Sequence, residues 1–273
     1  MAEDLVLEAT GLRKAFGEVV AVDGVDLAVP RGGSLAIVGE SGSGKTTVAK
    51  MIVGLEAPTA GTITACGRDR SAPARGAKER RRRGGEVQIV FQDPYSSLDP
   101  RHNAVQAVDE VLRLHRPEID KAARAARIAE LGELVGLDER QLRARPRALS
   151  GGQRQRIAIA RALAAEPQVV ILDESVAALD VSIQAQILNL LADIREQTGI
   201  SYILISHDLA VVRQITDEAI VMHRGRVVER GRTADVLDHP QQPYTQLLRA
   251  SVPRPGWKPA RTLRATTEGP SPA

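Results

Sequence analysis

At 273 residues and a formal charge of only +3 (37 Lys and Arg against 34 Asp and Glu), the chain is sized for one large domain, or one carrying a small insertion. The lone cysteine, Cys66, rules out an intrachain disulfide, and no Cys/His cluster has zinc-ligand spacing, so a reducing compartment is expected. No apolar run approaches the roughly eighteen residues of a membrane span, and Met1-Ala-Glu-Asp4 shows no secretory leader; the chain is expected to be soluble, with any membrane role coming through a partner.

In chain order, Leu5, Leu7 and Ala9 alternate with other residues, as do Val25, Leu27 and Val29, and both stretches predict strands. Leu35-Ala-Ile-Val38 is a short apolar run entering a glycine-rich turn, the pattern of a buried parallel strand. From Gly44 to about Val53 the periodicity is helical, stopped by Gly54 and Pro58. Thr62–Ala65 and Val87–Phe91 predict further strands. Between them, Lys78-Glu-Arg-Arg-Arg-Arg83 is the most basic run; with six aromatics in the chain to stack on bases, it reads as a solvated helix face rather than a nucleic-acid surface.

Between Pro94 and Ser150 the character becomes helical, with Asn103–His115 and Lys121–Val135 as the helices and no convincing strand. Alternation then resumes: helix Gly151–Ala165, strand Val169–Leu172, helix Val181–Gln197, strand Ser201–Ile205, and a hairpin of Ala219–His223 and Arg226–Glu229 around Arg224-Gly225. The expectation is an α/β domain with a largely parallel central sheet and a small helical insertion over about 95–150. From Val252 the Pro-, Ser- and Thr-rich tail is expected to be disordered, leaving 1–252 as the folded unit and 253–273 as the tail.

Gly39-Glu40-Ser41-Gly42-Ser43-Gly44-Lys45-Thr46 matches G-x-x-x-x-G-K-[ST] in full, between a strand and a helix. Its glycines let the backbone curl so that N–H groups face phosphate oxygens, and the helix N-terminus adds positive potential. Lys45 would reach the β- and γ-phosphates, the Thr46 hydroxyl would ligate Mg²⁺, and Thr47 opens the helix beside them. The strand Val169–Leu172 then delivers Asp173 and Glu174 at its C-terminal end. Asp173 fits an Mg²⁺-organising acid, and Glu174 a general base toward the attacking water.

These features alone say phosphate-loop NTPase, a class that spans kinases, GTPases, helicases and transporters. Leu149-Ser150-Gly151-Gly152-Gln153, followed by Arg154-Gln-Arg-Ile-Ala-Ile-Ala-Arg161, resembles the signature motif of ABC ATPases. That resemblance implies a RecA-like core with an antiparallel β subdomain and an inserted helical subdomain, ATP and Mg²⁺ as ligands, and a head-to-tail ATPase dimer. In the family, the signature motif contacts the γ-phosphate held by the partner's phosphate loop. The resemblance extends to Gln92 as the Q-loop glutamine near Mg²⁺, Asp180 as the D-loop acid, His207 as the switch histidine and Phe16 as the adenine-stacking aromatic. Two departures stand out: Ser175 where proline usually follows Asp-Glu, and Ala177 where serine often precedes Ala-Leu-Asp; neither removes a ligating or catalytic group.

Gln92–Arg101, Leu179–Asn189 and His239–Leu248 look like the ATP-binding subunits of peptide/nickel importers. Gln153 and Tyr95 favour the second, F-type chain of dipeptide and oligopeptide systems, with a C-terminal extension over about 233–252. Membership implies a second ATPase chain (the same or different), two membrane permeases, an external solute-binding protein and a place on the cytoplasmic face of the membrane. Peptides, nickel or other small solutes remain open as cargo. The alternative, a non-transport ABC ATPase acting on nucleic acid or ribosomes, lacks its usual second cassette, zinc module or long coiled-coil insertion here. A catalytically silent subunit is disfavoured because Lys45, Asp173, Glu174 and His207 are all present.

Overall fold

A computed structural model describes residues 4–93, 97–177 and 179–251. Two sheets form its frame. The first is antiparallel, in the order β2-β1-β4-β5, from β1 (Leu5–Phe16), β2 (Val19–Pro30), β4 (Ala60–Ala65) and β5 (Arg68–Asp69). The second, in the order β10-β9-β3-β8-β7-β6, takes β3 (Ser34–Val38), β6 (Val87–Val90), β7 (Val169–Asp173), β8 (Ser201–Ser206), β9 (Glu218–His223) and β10 (Arg226–Arg232). It is parallel from β9 through β6, and β10 adds an antiparallel edge.

Every residue of β3, β7 and β8 is buried, which explains their nearly continuous apolar sequences: a parallel sheet covered on both faces has no solvent side to alternate toward. Successive side chains serve opposite cores. Leu35, Ile37, Ile171, Ile203 and Ile205 pack with Leu7, Leu12, Leu27, Ile63 and helix α1 (Lys45–Val53) between the two sheets. Ala36, Val38, Val170, Leu172, Tyr202 and Leu204 face the larger helical core on the other side.

The helices of that core include α3 (Ala104–His115), α4 (Lys121–Leu134), α5 (Glu139–Arg143), α6 (Gly151–Leu163), α7 (Val181–Thr198) and α8 (Leu209–Ile215). The basic run lies on α2 (Ala77–Glu86), where Arg83 pairs with Glu79 in the same helix and Glu86 pairs with Arg68 and Arg70. Two short helices, α9 (Thr233–Asp238) and α10 (Pro243–Ala250), follow β10.

The sequence expectations need adjusting at several ends. β1 runs on to Phe16 and β2 begins at Val19, because irregularities in their register keep the long hairpin paired beyond the alternating stretch. β6 stops at Val90 rather than Phe91, and α5, α8, α9 and α10 were not anticipated; each is eight residues or fewer, too short for a periodic signal. Pro94 and Tyr95 of the Q-loop stretch, Ala178, and the tail from Val252 lie outside the described residues.

Candidate functional site

Sheet register gathers the candidate residues. Val90 of β6 pairs with Leu172 of β7, Asp173 with Ile205 of β8, and Val38 of β3 with Ser206. The parallel strands therefore end together, on the side where such sheets bind ligands. Gln92 follows β6, Asp173 and Glu174 close β7, His207 follows β8, and Gly39–Thr46 leaves β3. The arrangement follows from strand order alone, before any side chain is considered.

The loop after β3 is shaped by close backbone approaches. Gly39 has φ 153°, and a Cβ there would lie 2.2 Å from the Met222 carbonyl oxygen and 2.8 Å from Ser43 Oγ. At Gly44, φ is 103° and a Cβ would meet the Ala21 carbonyl oxygen at 2.4 Å. The Gly225 N–H donates to the Ser43 carbonyl at 3.0 Å, tying the loop to the β9–β10 hairpin. Glu40, Ser41 and Gly42 form an exposed rim, whereas Ser43 and Lys45 are buried and Thr47 half-buried. No side chain caps α1, so its first-turn N–H groups are not taken by a capping oxygen.

Lys45 is 4% exposed. Its ammonium donates to the carbonyl oxygens of Gly39 (2.8 Å) and Glu40 (2.7 Å). Burial lowers its pKa, while Glu174, Asp173 and Glu40 oppose that shift. The carboxylates partly offset the cost of burying the ammonium, whose bonds to Gly39 and Glu40 place it inside the loop.

The Thr46 hydroxyl lies 3.4 Å from Asp173 Oδ1. Asp173 is 6% exposed, and its pKa is raised, first by burial and then by neighbouring Glu174, against the help of Thr46, Lys45 and Lys50. Glu174 has a left-handed backbone (φ 46°), and its N–H donates to the Ile205 carbonyl at 2.9 Å. That bend turns its carboxylate out of the strand line, with Oε1 3.3 Å from His207 Nδ1. His207 is itself more than half exposed. Ser175 is buried and its hydroxyl has no partner among the described residues.

A divalent cation fits these residues. Asp173 is a buried carboxylate whose side chain finds one hydroxyl and no ion pair at salt-bridge distance among the described residues. No group of three or more His, Cys, Asp or Glu among the described residues could hold a metal unaided. Such a donor set suits an ion that keeps waters and substrate oxygens in its shell, as Mg²⁺ does.

Phe16 ends β1 beside the turn into β2, 48% exposed, with the Lys14 ammonium 4.9 Å from its ring centroid. The β2 strand that pairs with Phe16 also approaches the loop, its Ala21 carbonyl oxygen lying where a Gly44 Cβ would be. Ser150 caps α6: Gln153 N–H donates to Ser150 Oγ at 3.2 Å, and Gln153 Oε1 accepts from the Ser150 N–H at 2.9 Å. Cβ atoms at Gly151 and Gly152 would meet Leu179 and Ile183, so this helix start adjoins Asp180, which caps α7 by accepting from the Ile183 N–H. That hydrogen bond leads the causes that lower the Asp180 pKa. No hydrogen bond joins Ser150–Gln153 to Gly39–Thr46 among the described residues. The sequence did not single out Met222 or Gly225 as loop supports; only the Gly225 turn residue left a trace, as part of the expected hairpin.

Residues 22–177 match the family model described as ABC transporter, and residues 228–273 match that of the oligopeptide/dipeptide transporter C-terminal region. The chain is 47% identical to the oligopeptide transport ATP-binding protein OppD of Mycobacterium tuberculosis, over 92% of this chain but 40% of that protein, so it spans about two fifths of that relative's length. It is 45% identical to OppF of Lactococcus lactis subsp. lactis, over 86% of this chain and 73% of OppF. With the dipeptide transport ATP-binding protein DppF of Haemophilus influenzae, it is 41% identical over 98% of this chain and 84% of DppF. Among solved structures, the ATP-binding cassette MJ0796, as a post-hydrolysis dimer bound to ADP and Pi, superposes with TM-score 0.74 at 28% identity, covering 83% of this chain and 98% of that one. CbiO1 of Clostridium perfringens, part of the ABC transporter complex cbiONQ, gives 0.76 at 28%, covering 87% and 92%. The chain belongs to the ABC transporter family, as an ATP-binding cassette related to those of oligopeptide and dipeptide transporters.

Proposed function

We propose that the chain is the ATP-hydrolysing subunit of an ABC importer that drives uptake of dipeptides, oligopeptides or related small solutes. The observation that carries the reading is the convergence of a phosphate loop, a buried Asp173 and an outturned Glu174 at the C-terminal ends of β3 and β7. The match of residues 228–273 to the oligopeptide/dipeptide C-terminal region supports the cargo class.

In this reading the loop's backbone N–H groups and the α1 terminus receive the phosphates, and Lys45 exchanges a loop carbonyl for a phosphate oxygen. Phe16 offers its exposed ring to adenine. Thr46, Asp173 and Gln92 would hold Mg²⁺, which neutralises charge on the phosphate oxygens when bound. Glu174 accepts the proton of the attacking water as the water oxygen bonds to the γ-phosphorus and ADP departs. His207, 3.3 Å from Glu174, hydrogen-bonds the γ-phosphate side of the site.

Ser150–Gln153 and Asp180 serve the other half of a head-to-tail dimer. The lack of any hydrogen bond between Ser150–Gln153 and the same chain's loop among the described residues supports this division. Two permeases and an external solute-binding protein complete the machine, with the ATPase held at the cytoplasmic membrane face. Among the described residues no helix is long and apolar enough to cross a membrane. Co-purification with the permeases and binding protein, followed by peptide titration, tests the proposal. ATPase activity rising with dipeptide or oligopeptide is expected; activity indifferent both to peptides and to related small solutes contradicts it.

A further inference from the structure

The loop's second residue is held by a part of the chain far from it in sequence. The Glu40 N–H donates to the Tyr244 hydroxyl at 3.1 Å, from the first turn of α10. The Tyr244 ring lies against His223 at the end of β9, with centroids 4.0 Å apart and planes tilted by 35°. Tyr244 is half-buried and packs on the helical core together with Leu248.

The support behind this ring is firm. Glu229 of β10 accepts the N–H groups of Gln241 (2.7 Å) and Gln242 (3.2 Å), fixing the turn that opens α10. Arg249 closes the helix back onto the Asp238 carbonyl at 2.6 Å. Through His223 and Glu229, α10 and Tyr244 rest on the same hairpin whose Met222 carbonyl abuts Gly39 and whose Gly225 N–H holds Ser43.

We propose that Tyr244 is a positioning residue for nucleotide binding, its hydroxyl fixing the Gly39–Glu40 peptide from the C-terminal extension. Lys45 holds the carbonyls of Gly39 and Glu40, and it must relax at least one of those bonds to reach a phosphate. The Tyr244 bond takes the peptide's N–H instead, so it persists when Lys45 turns to the nucleotide. A loop restrained in this way loses less conformational freedom on binding. The extension thereby sets nucleotide affinity without touching nucleotide.

The inference rests on the nucleotide-binding reading, and its test keeps the two apart. Mg-ADP affinity of the full chain is measured by calorimetry for the wild type, Tyr244→Phe, Leu248→Ala and Lys45→Ala. Tyr244→Phe keeps the ring against His223 and removes the hydroxyl alone. It should bind about 2- to 10-fold more weakly, the upper end set by the net worth of one hydrogen bond, and unfold no more than a few degrees lower in the absence of nucleotide. Leu248→Ala loosens the helix while keeping the hydroxyl and should bind more nearly as the wild type does. Unchanged affinity in Tyr244→Phe, or equal losses in Tyr244→Phe and Leu248→Ala, would overturn the inference. Unchanged affinity in Lys45→Ala would instead sink the nucleotide reading itself.

Discussion

Replacing Gly39 by alanine should damage the molecule far more than the same change at Gly42, three residues along the same loop. Both glycines have positive φ, 153° and 82°, so each substitution bears backbone strain. For Gly42, whose Cβ would meet nothing within 4 Å, that is the whole effect, about 1–2 kcal/mol. A Cβ at Gly39 would sit 2.2 Å from the Met222 carbonyl, and contacts under 3.0 Å essentially never occur. Either β9 or the loop must retreat by about 0.8 Å, and overpacking of that kind costs about 1–3 kcal/mol more. The summed cost at Gly39 is then about 2–5 kcal/mol, against 1–2 at Gly42. For a domain of this size each kcal/mol shifts the melting midpoint by about 2–4 °C. Thermal unfolding without nucleotide, followed by circular dichroism, should place Gly39→Ala clearly below Gly42→Ala. Equal midpoints for the two variants would show that the Met222 carbonyl does not confine the loop.

Other expectations concern the carboxylates and the cap. Asp173→Asn should unfold at the same temperature as the wild type or higher in the absence of nucleotide, while losing the Mg²⁺-dependent part of ATP affinity. The sign follows from the raised Asp173 pKa: above the ordinary carboxylate range the folded state binds this proton more tightly than the unfolded state, so ionisation subtracts stability as pH rises. As pH rises from the ordinary carboxylate range, about 4, the wild-type midpoint should fall relative to that of Asp173→Asn; a difference that does not move, or a marked fall on Asp173→Asn at neutral pH, would count against that burial argument. Ser150→Ala removes the oxygen that accepts the Gln153 N–H and should cost about 1 kcal/mol of stability. Its ATPase rate in the assembled transporter should fall further than its Mg-ADP affinity; a parallel fall in both would argue that Ser150 acts on its own chain's loop.

Much of this was legible in sequence because the signals were local. Leu35–Val38 followed by Gly39–Thr46 specifies strand, loop and helix with no tertiary information, and β7 with its two acids does the same. The contacts that shape the loop were hidden for a physical reason. Met222, Gly225 and Ala21 act through backbone oxygens and N–H groups, which carry no residue-type signal. The sequence HPQQPYTQLL, residues 239–248, was visible as a family resemblance, yet nothing local says that Tyr244 meets Glu40 across 204 positions. The left-handed backbone of Glu174 was equally invisible, since glutamate has no preference for that region.

Glu174→Gln keeps the size and bend of the residue and removes only its ability to accept a proton. Hydrolysis of γ-labelled Mg-ATP in a single turnover, measured for the wild type and Glu174→Gln in the assembled transporter, isolates that step. Binding should stay within about threefold, and cleavage should slow by about 10²- to 10⁴-fold, the usual contribution of a positioned general base. Cleavage at the wild-type rate would contradict the assignment of hydrolysis to the strand ends where Gly39–Thr46, Asp173 and Glu174 meet.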